Sequence, residues 1–338
     1  MSKHKHILVI RLSAMGDVAM TVPVLRAFCQ QYPDVKLTVL TRTFFKPLFK
    51  DLSNVNVLSA DFKAKHKGIF GVYRLSKEIR DHNIDAIADL HNVLRTKLLK
   101  IVLLKIPFIQ IDKGRKEKKE LVTGKNFQQL KTTFQRYADV FEKLGFPVDL
   151  TEPKFPQRSE LNGKITEIIG KDNLKWIGIA PFAAYESKMY PLESVKEVIH
   201  KLSKDFKIVL FGGGKSEIHK LKSLAENSDN VVNIAGALSF DEELEVISNL
   251  DMMLSMDSSN GHLAALFGVK VLTLWGVTHP YAGFAPFNQP IEYSLLADRD
   301  TYPEIPTSVY GNKYPEGYTN AMSTISPEIV ISKVKEML

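Results

Sequence analysis

The chain has 338 residues, 44% of them hydrophobic and 25% charged, with a single cysteine and a formal net charge of +7. This is the composition of an ordinary globular protein, and its length predicts two domains rather than one. The lone Cys29 excludes an intrachain disulfide and a cysteine-based zinc site, while the positive charge favours an anionic partner such as nucleic acid, an acidic membrane surface or a phosphorylated substrate.

Strand-like and helix-like segments alternate through the first half of the chain. Short apolar, β-branched runs predict strands, and apolar residues that recur every 3.6 positions predict helices. The predicted strands are 6–11, 36–41, 54–59, 84–90 and 106–111. The predicted helices include 71–82, 92–104 and 127–145, and the last of these ends at Gly145, a typical C-terminal stop.

The sequence pattern changes at 146–160, where three prolines and the lack of apolar periodicity predict an extended linker. The alternation then restarts, with strands at 175–180, 206–211, 230–235, 250–256 and 269–275 and helices at 192–204, 215–227, 240–249, 259–267 and 326–338. This order predicts an α/β protein of two doubly wound, Rossmann-like domains. We place the N-terminal domain at 1–150, the linker at 151–170 and the C-terminal domain, with its final helix, at 171–338.

Neither a membrane-spanning segment nor a signal peptide is predicted. No apolar run reaches the ~20 residues needed to span a bilayer, because Lys100 and Lys105 interrupt the best candidate. Arg11 and Asp17 interrupt the apolar N-terminal stretch too early for a signal peptide. These features predict a cytoplasmic protein.

Residues 251–280 combine two predicted strands with two polar turns. Ligands of parallel α/β sheets bind at the carboxyl ends of the strands, and here those ends carry Asp257, Ser258, Ser259 and His262. Small polar residues ahead of a helix leave backbone N–H groups free to face an anion. The segment therefore predicts a phosphate-binding site for a nucleotide-type ligand.

A second motif, residues 11–28, takes the first strand through a turn containing Gly16 and then Asp17 into a helix. Asp17 either caps this helix or acts as a carboxylate base on an alcohol, and both interpretations stay open. The glycine spacing of a dinucleotide-binding fingerprint is absent. An NAD-dependent oxidoreductase is therefore not favoured, and no basic, aromatic face predicts a nucleic-acid binder.

The runs ILVIRLSAMGDVAMTVPVLRAF and MDSSNGHLAALFGVKVLTLWGVTHP resemble the two signatures of glycosyltransferase family 9, which contains the ADP-heptose:lipopolysaccharide heptosyltransferases. The two runs lie in the right order, about 240 residues apart, so the resemblance covers essentially the whole chain. It implies a GT-B fold, in which two domains face each other across a cleft. It also implies an inverting, metal-independent transfer from a nucleotide sugar, with Asp17 as the general base.

The resemblance also implies the donor residues. Lys188, ahead of an aromatic–Pro pair, would contact the donor phosphates, and Ser187 would replace hydroxyls that the family often has where this chain has Ala183 and Ala184. Glu217 would meet the nucleoside, although a first-turn glutamate also complements a helix dipole.

Three further positions complete the predicted donor site. Gly213 belongs to a glycine-rich turn that allows close approach to a ligand. Ser258 stands in place of the usual Thr, and Ser259 in place of the usual Gly. If Ser259 needed a positive φ, it would be strained.

The acceptor side is predicted from basic residues. Arg95 lies after a strand end beside His91, and Lys113, Arg115 and Lys116 belong to the basic run 112–120. The family's acceptors carry phosphates and Kdo carboxylates, which would suit such a surface. A solvated basic loop is the alternative.

We therefore expect an enzyme that moves a heptose or related sugar from an ADP-sugar to a lipopolysaccharide core or lipid A-type acceptor, without cofactor, metal or nucleic acid. The expected location is cytoplasmic, with peripheral contact at the inner face of the cytoplasmic membrane. One alternative is a different nucleotide sugar or surface-glycan acceptor. Another is a non-catalytic nucleotide-sugar-binding homologue, because Ala183, Ala184 and Ser259 depart from the family pattern.

Overall fold

The computed structural model describes residues 4–226 and 228–338. The chain forms two compact units, one made of Met1–Lys113 and Lys131–Lys154, the other of Gly114–Leu130 and Phe155–Leu338. The segment Gly114–Leu130 thus leaves the first unit and groups with the second, and we call it the arm. Within the described ranges no helix has the length and apolar character to cross a membrane.

The first unit is a parallel sheet of five strands in the order β3-β2-β1-β4-β5. Residues Ile7–Ile10 of the central strand are fully buried, since helices cover both faces of such a sheet. The strands are β1 (His6–Ile10), β2 (Lys36–Thr41), β3 (Val55–Ser59), β4 (Ala86–Asp89) and β5 (Phe108–Gln110). The helices of this unit are α1 (Met15–Ala19), α2 (Thr21–Gln31), α3 (Gly68–Asp81), α4 (Leu94–Val102) and α6 (Thr133–Lys143), with a 3-10 helix at Thr43–Phe49.

The second unit is a parallel sheet of six strands in the order β11-β10-β9-β6-β7-β8. The strands are β6 (Trp176–Ala180), β7 (Lys207–Leu210), β8 (Val231–Asn233), β9 (Met252–Met256), β10 (Lys270–Trp275) and β11 (Ser294–Leu296). Its helices are α5 (Arg115–Val122, in the arm), α7 (Gly163–Ile169), α8 (Leu192–Leu202), α9 (Lys215–Ala225), α10 (Phe240–Asn249), α11 (Ser259–Ala265) and α12 (Pro327–Met337). Short 3-10 helices occupy Glu186–Lys188, Pro280–Ala282, Ile291–Tyr293 and Tyr318–Thr324.

Strand order reverses once in each unit. In the first unit β2 and β3 follow β1 on one side of that strand, and β4 and β5 lie on its other side. In the second unit β7 and β8 lie on one side of β6, and β9, β10 and β11 lie on the other. Ligands of open parallel sheets bind outside the carboxyl ends of the strands at such a switch point. A ligand site is therefore expected among the residues that follow β1, β4, β6 and β9.

All ten predicted strands are present, shorter by at most two residues at either end. The helix predicted over 127–145 is wrong for its first six residues, because Thr132 is the N-cap, its hydroxyl accepting from the Gln135 N–H at 3.2 Å. Gly145, with φ +89°, follows its end as expected. The last residue of the helix predicted over 215–227, Asn227, lies outside the described residues.

No helix or strand lies in 146–160, where an extended linker is predicted. The predicted linker range of 151–170 reaches further along the chain. It contains α7, whose N-terminus is capped by Asn162, the side-chain oxygen accepting from the Ile165 N–H at 3.0 Å. The break between the two units falls at Lys154–Phe155. The basic run predicted as a possible loop instead forms most of α5, and the short edge strand β11 had no sequence signal.

Candidate active site

The first candidate centre lies at the carboxyl end of β1, where Arg11 follows the strand and Asp17 lies on α1. Oδ2 of Asp17 accepts from Nη2 of Arg11 at 2.7 Å and from the Ala14 backbone N–H at 3.1 Å. Nη1 of the buried Arg11 donates to the Leu90 carbonyl at 2.7 Å, which links this centre to the end of β4. The Asp17 side chain is 29% exposed, so a fixed carboxylate remains open to a reactant.

Tyr137, on α6, supports the same pair. Its buried hydroxyl donates to the main-chain carbonyl of Asp17 at 3.3 Å, and the Arg11 guanidinium lies 5.9 Å from the centre of its ring. Tyr137 occupies an apolar position of a periodic helix, so its sequence gave no sign of this role. Asp17 caps α1 and keeps part of its carboxylate exposed, and its role as a base stays a prediction.

The loop after β4 is held by Asp89. Its Oδ1 accepts from the backbone N–H groups of His91 and Asn92 at 3.0 and 2.9 Å. Its Oδ2 accepts from Nε2 of Gln110 on β5 at 2.9 Å. A buried carboxylate that receives three hydrogen bonds fixes the loop conformation, and this role had no sequence signature.

His91 is held neutral by its surroundings. Burial first, and then the positive charges of Arg11 and Lys113, lowers the pKa of His91 to about 3. Its buried Nδ1 has no hydrogen-bond partner among the described residues. A neutral imidazole with an unused ring nitrogen, beside three cations that include Arg95, is suited to hydrogen-bond a polar, anionic molecule.

The second candidate centre, in the other unit, joins the ends of three neighbouring strands. Nζ of Lys188, after β6, lies 3.0 Å from Oδ2 of Asp257, after β9. The same oxygen accepts from the hydroxyl of Thr278, after β10, at 2.9 Å. The Lys188 and Asp257 side chains are 11% and 12% exposed, so the ion pair is shielded from most of the solvent.

Gly311 and Ser187 hold Lys188 in place. Gly311 has φ +79°, and a Cβ there would lie 2.7 Å from Cγ and Cδ of Lys188, so only glycine lets the lysine stem pass. The Ser187 hydroxyl donates to the Gly311 carbonyl at 2.6 Å. Ser187 is fully buried and its hydroxyl is already engaged, so its contact with a donor stays a prediction.

The turn after β9 leads into α11. Ser258 is the N-cap residue, and its buried hydroxyl oxygen has no partner among the described residues. Ser259 is the first helical residue and lies outside the left-handed region, so the strain considered for a serine at this position is absent. His262 lies on the buried side of the same helix.

Glu217, in the first turn of α9, fixes the glycine-rich turn after β7. Its Oε2 accepts from the Gly213 N–H at 2.7 Å. Gly213 is exposed, and a Cβ built there meets no described atom within 4 Å. The carboxylate therefore has a structural role in this turn, and its contact with a nucleoside stays a prediction.

The four predicted acceptor residues divide between the two units. Arg95, whose guanidinium lies 4.0 Å from the centre of the Phe62 ring, and Lys113 belong to the first unit. Arg115 and Lys116 are exposed on α5 of the arm and belong to the second.

Aromatic and cationic contacts fix the arm to the rest of the second unit. The ring of Phe127 packs against His279, with centroids 5.0 Å apart, and the Arg299 guanidinium covers Phe127 at 3.8 Å. The Lys118 ammonium lies 4.0 Å from the centre of the Phe284 ring. Burial, and secondly Arg299, lowers the pKa of His279 to about 4.

No group of three or more His, Cys, Asp or Glu side chains able to hold a metal ion occurs in the part of the chain that the structure describes. The charged groups that converge at the two centres are Arg11 with Asp17 and Lys188 with Asp257.

Sequence comparisons agree on one family. The profile described as glycosyltransferase family 9 (heptosyltransferase) matches residues 72–312. The lipopolysaccharide core heptosyltransferase OpsX of Haemophilus influenzae is 23% identical, with 98% of this chain and 97% of that protein covered. Lipopolysaccharide heptosyltransferase 1 of Campylobacter coli is 24% identical, with 98% of each covered.

Solved structures share the fold. A family 9 glycosyl transferase from Veillonella parvula superimposes with a TM-score of 0.77 at 19% identity, covering 98% of this chain and 97% of its own. The E. coli heptosyltransferase WaaC, solved with ADP, gives 0.71 at 20% identity, covering 98% and 100%. The predicted GT-B class, built on two parallel α/β units, is thereby confirmed.

Proposed function

This chain belongs to glycosyltransferase family 9, the heptosyltransferase family, and we propose that it moves a heptose or related sugar from an ADP-linked donor to a lipopolysaccharide core or lipid A-type acceptor. Curated relatives over nearly the full length are named as lipopolysaccharide or lipooligosaccharide heptosyltransferases. The E. coli relative WaaC was solved with ADP and with ADP-2-deoxy-2-fluoro heptose. Both support an ADP-heptose donor here.

The observation that carries the proposal is the fixed but accessible carboxylate of Asp17 at the switch point of the first unit. In the proposed reaction Asp17 takes the proton of an acceptor hydroxyl as that oxygen attacks the anomeric carbon. The bond from this carbon to the β-phosphate oxygen breaks, and its electron pair leaves with ADP. Attack from the face opposite the leaving group inverts the anomeric configuration.

The leaving diphosphate gains negative charge, which a fixed cation stabilises. Lys188 is such a cation at the switch point of the second unit, and Ser258 brings a hydroxyl without a described partner to the neighbouring strand end. Because an ammonium group meets this need, we propose a transfer that requires no metal. We also propose a cytoplasmic enzyme in peripheral contact with the inner face of the membrane, since its acceptor is an anionic glycolipid.

The first test is thermal stabilisation of the purified protein by ADP, UDP, GDP, CMP and NAD, each with and without EDTA. A ligand that binds only the folded state raises the unfolding midpoint by mass action. We expect a selective rise with ADP that EDTA does not change. A rise with UDP or GDP instead would contradict the ADP-linked donor, and loss of the rise in EDTA would contradict metal independence. No rise with any nucleotide would contradict a nucleotide-linked donor.

A further inference from the structure

Large apolar side chains are exposed together on one part of the first unit. On α3, Phe70 is 90% exposed, and in the turn after α4, Leu104 is 80% exposed. Six of the large exposed apolar residues lie within this short stretch of chain: Ile69, Phe70, Tyr73, Leu94, Ile101 and Leu104. Scattered single residues of this kind are normal on protein surfaces, whereas a group of them marks an interaction site.

The two helices that carry these residues lie side by side. Their opposite faces enter one core cluster, to which α3 contributes Leu75 and α4 contributes Leu99. Near their C-termini, Nη2 of Arg80 donates to the Val102 carbonyl at 2.5 Å. Because both helices pack on the same core, their outer faces point to the same side of this unit.

The loop before α3 is joined to the same layer. The Arg95 guanidinium, at the start of α4, lies 4.0 Å from the centre of the Phe62 ring in that loop. The loop also carries three exposed lysines, Lys63, Lys65 and Lys67. The exposed residues of this loop and of both helices therefore form one surface, which we call the α3–α4 face.

This face is strongly basic. Residues 61–105 hold ten Lys and Arg against five Asp and Glu, which is +5 of the chain's net +7. Four of the five acids have partners. Glu78 pairs with Lys65 and His66, and the carboxylates of Asp61, Asp85 and Asp89 accept from backbone N–H groups. Around α4 the positive charge is unopposed, since residues 90–111 contain no acid.

We propose that the α3–α4 face docks on an anionic phospholipid surface. Exposed aliphatic and aromatic side chains enter the interfacial region of a bilayer, and lysines around them are attracted to acidic headgroups. A protein partner fits less well, because the centres of protein interfaces are depleted in lysine. This proposal assigns a surface to the membrane contact and rests on the proposed function for its biological role. Lipid binding can nevertheless be measured without any substrate.

The test is sedimentation of the full-length chain with vesicles that contain no glycolipid acceptor. We expect binding to phosphatidylcholine vesicles with about 30% phosphatidylglycerol, at least tenfold weaker binding to phosphatidylcholine alone, and loss of binding at high salt. The double variant Phe70→Ser/Leu104→Ser should reduce binding to the anionic vesicles about tenfold or more. Both residues are exposed, so the unfolding midpoint should not move.

The matched control is Ile329→Ser, which removes a 52% exposed apolar side chain on α12 in the second unit and should leave vesicle binding unchanged. Equal loss in the control, no loss in the double variant, or equal binding to neutral vesicles would overturn the proposal. Turnover with a detergent-free, delipidated acceptor should be the same in all three proteins. Vesicle binding without any sugar transfer would leave the docking surface standing and contradict the proposed function alone.

Discussion

Lys188 and Asp257 form an ion pair, with Nζ and Oδ2 3.0 Å apart, in which both side chains are nearly buried. A donor diphosphate that uses Lys188 must therefore compete with, or add to, the carboxylate that already holds it. Thr278, which donates to the same oxygen, keeps Asp257 in place when the lysine turns to a new partner. We therefore propose that Asp257 positions the lysine and does not meet the donor phosphates, since two anions repel.

Replacing Lys188 by methionine should weaken ADP binding by about tenfold to a hundredfold, the usual range for losing a hydrogen bond to a charged group. Replacing Asp257 by asparagine should lower the unfolding midpoint without ligand, because a shielded cation loses its partner, and should enlarge the rise that ADP produces. Calorimetric titration and thermal unfolding measure the two effects. ADP affinity in Lys188→Met equal to wild type would remove Lys188 from the donor site.

Gly311→Ala should disturb Lys188 without touching its charge. The new Cβ would collide with the lysine stem and the residue would have a positive φ, so the loop must shift. We expect several-fold weaker ADP binding and a lower midpoint. Gly163→Ala, on α7, is the control, since this glycine is exposed and a Cβ there meets no described atom. Equal ADP affinity in Gly311→Ala and wild type would contradict the positioning of Lys188 by this glycine.

Asp17→Asn keeps the shape of the side chain and removes the base. Turnover at saturating donor should fall about 10²- to 10⁴-fold, the usual contribution of general base catalysis, while ADP binding changes little. Asp34→Asn, at an exposed turn, should retain full activity and controls for the loss of one negative charge. Turnover of Asp17→Asn within a few-fold of wild type would identify another group as the base.

The stability of the second unit should depend on pH through His279. Its pKa falls from 6.5 in the unfolded chain to about 4 in the folded protein, so the unfolded state binds more protons between these values. Stability is therefore lost as pH falls from about 6.5 toward 4, by about 2 kcal/mol between pH 7.5 and 5. In His279→Gln this part of the pH dependence should vanish, as measured by denaturant unfolding at both pH values. Replacement of the exposed His219 by glutamine should leave it intact.

The strands and the residues that follow them were predictable because they depend on local sequence. A strand buried on both faces needs a continuous apolar run, as at Ile7–Ile10. The loop and the helix start that follow such a strand, which here carry Asp17, must lie at the carboxyl end of the sheet. Lys188 and Asp257 follow β6 and β9 in the same way.

Residues that act across long separations were not predictable. Gly311 supports Lys188 from a segment with no periodic pattern, and only the folded chain shows how close the two come. Phe127 was assigned to a helix because it fits an apolar period. The periodicity of apolar residues indicates which side chains are buried. It does not identify the residue that each one contacts, which for Phe127 is Arg299.

The arm also sets an order of events during synthesis. Phe127 leaves the ribosome 172 residues before Arg299, a delay of roughly 10 to 30 s at typical rates of protein synthesis. During that interval all five strands of the first unit have been synthesised, while Leu121 and Leu130 of the arm have not yet met Ala282. The apolar side chains of the arm therefore have no partners from residues 155–338 during this interval, and a fragment ending at Lys154 would leave them without those partners permanently.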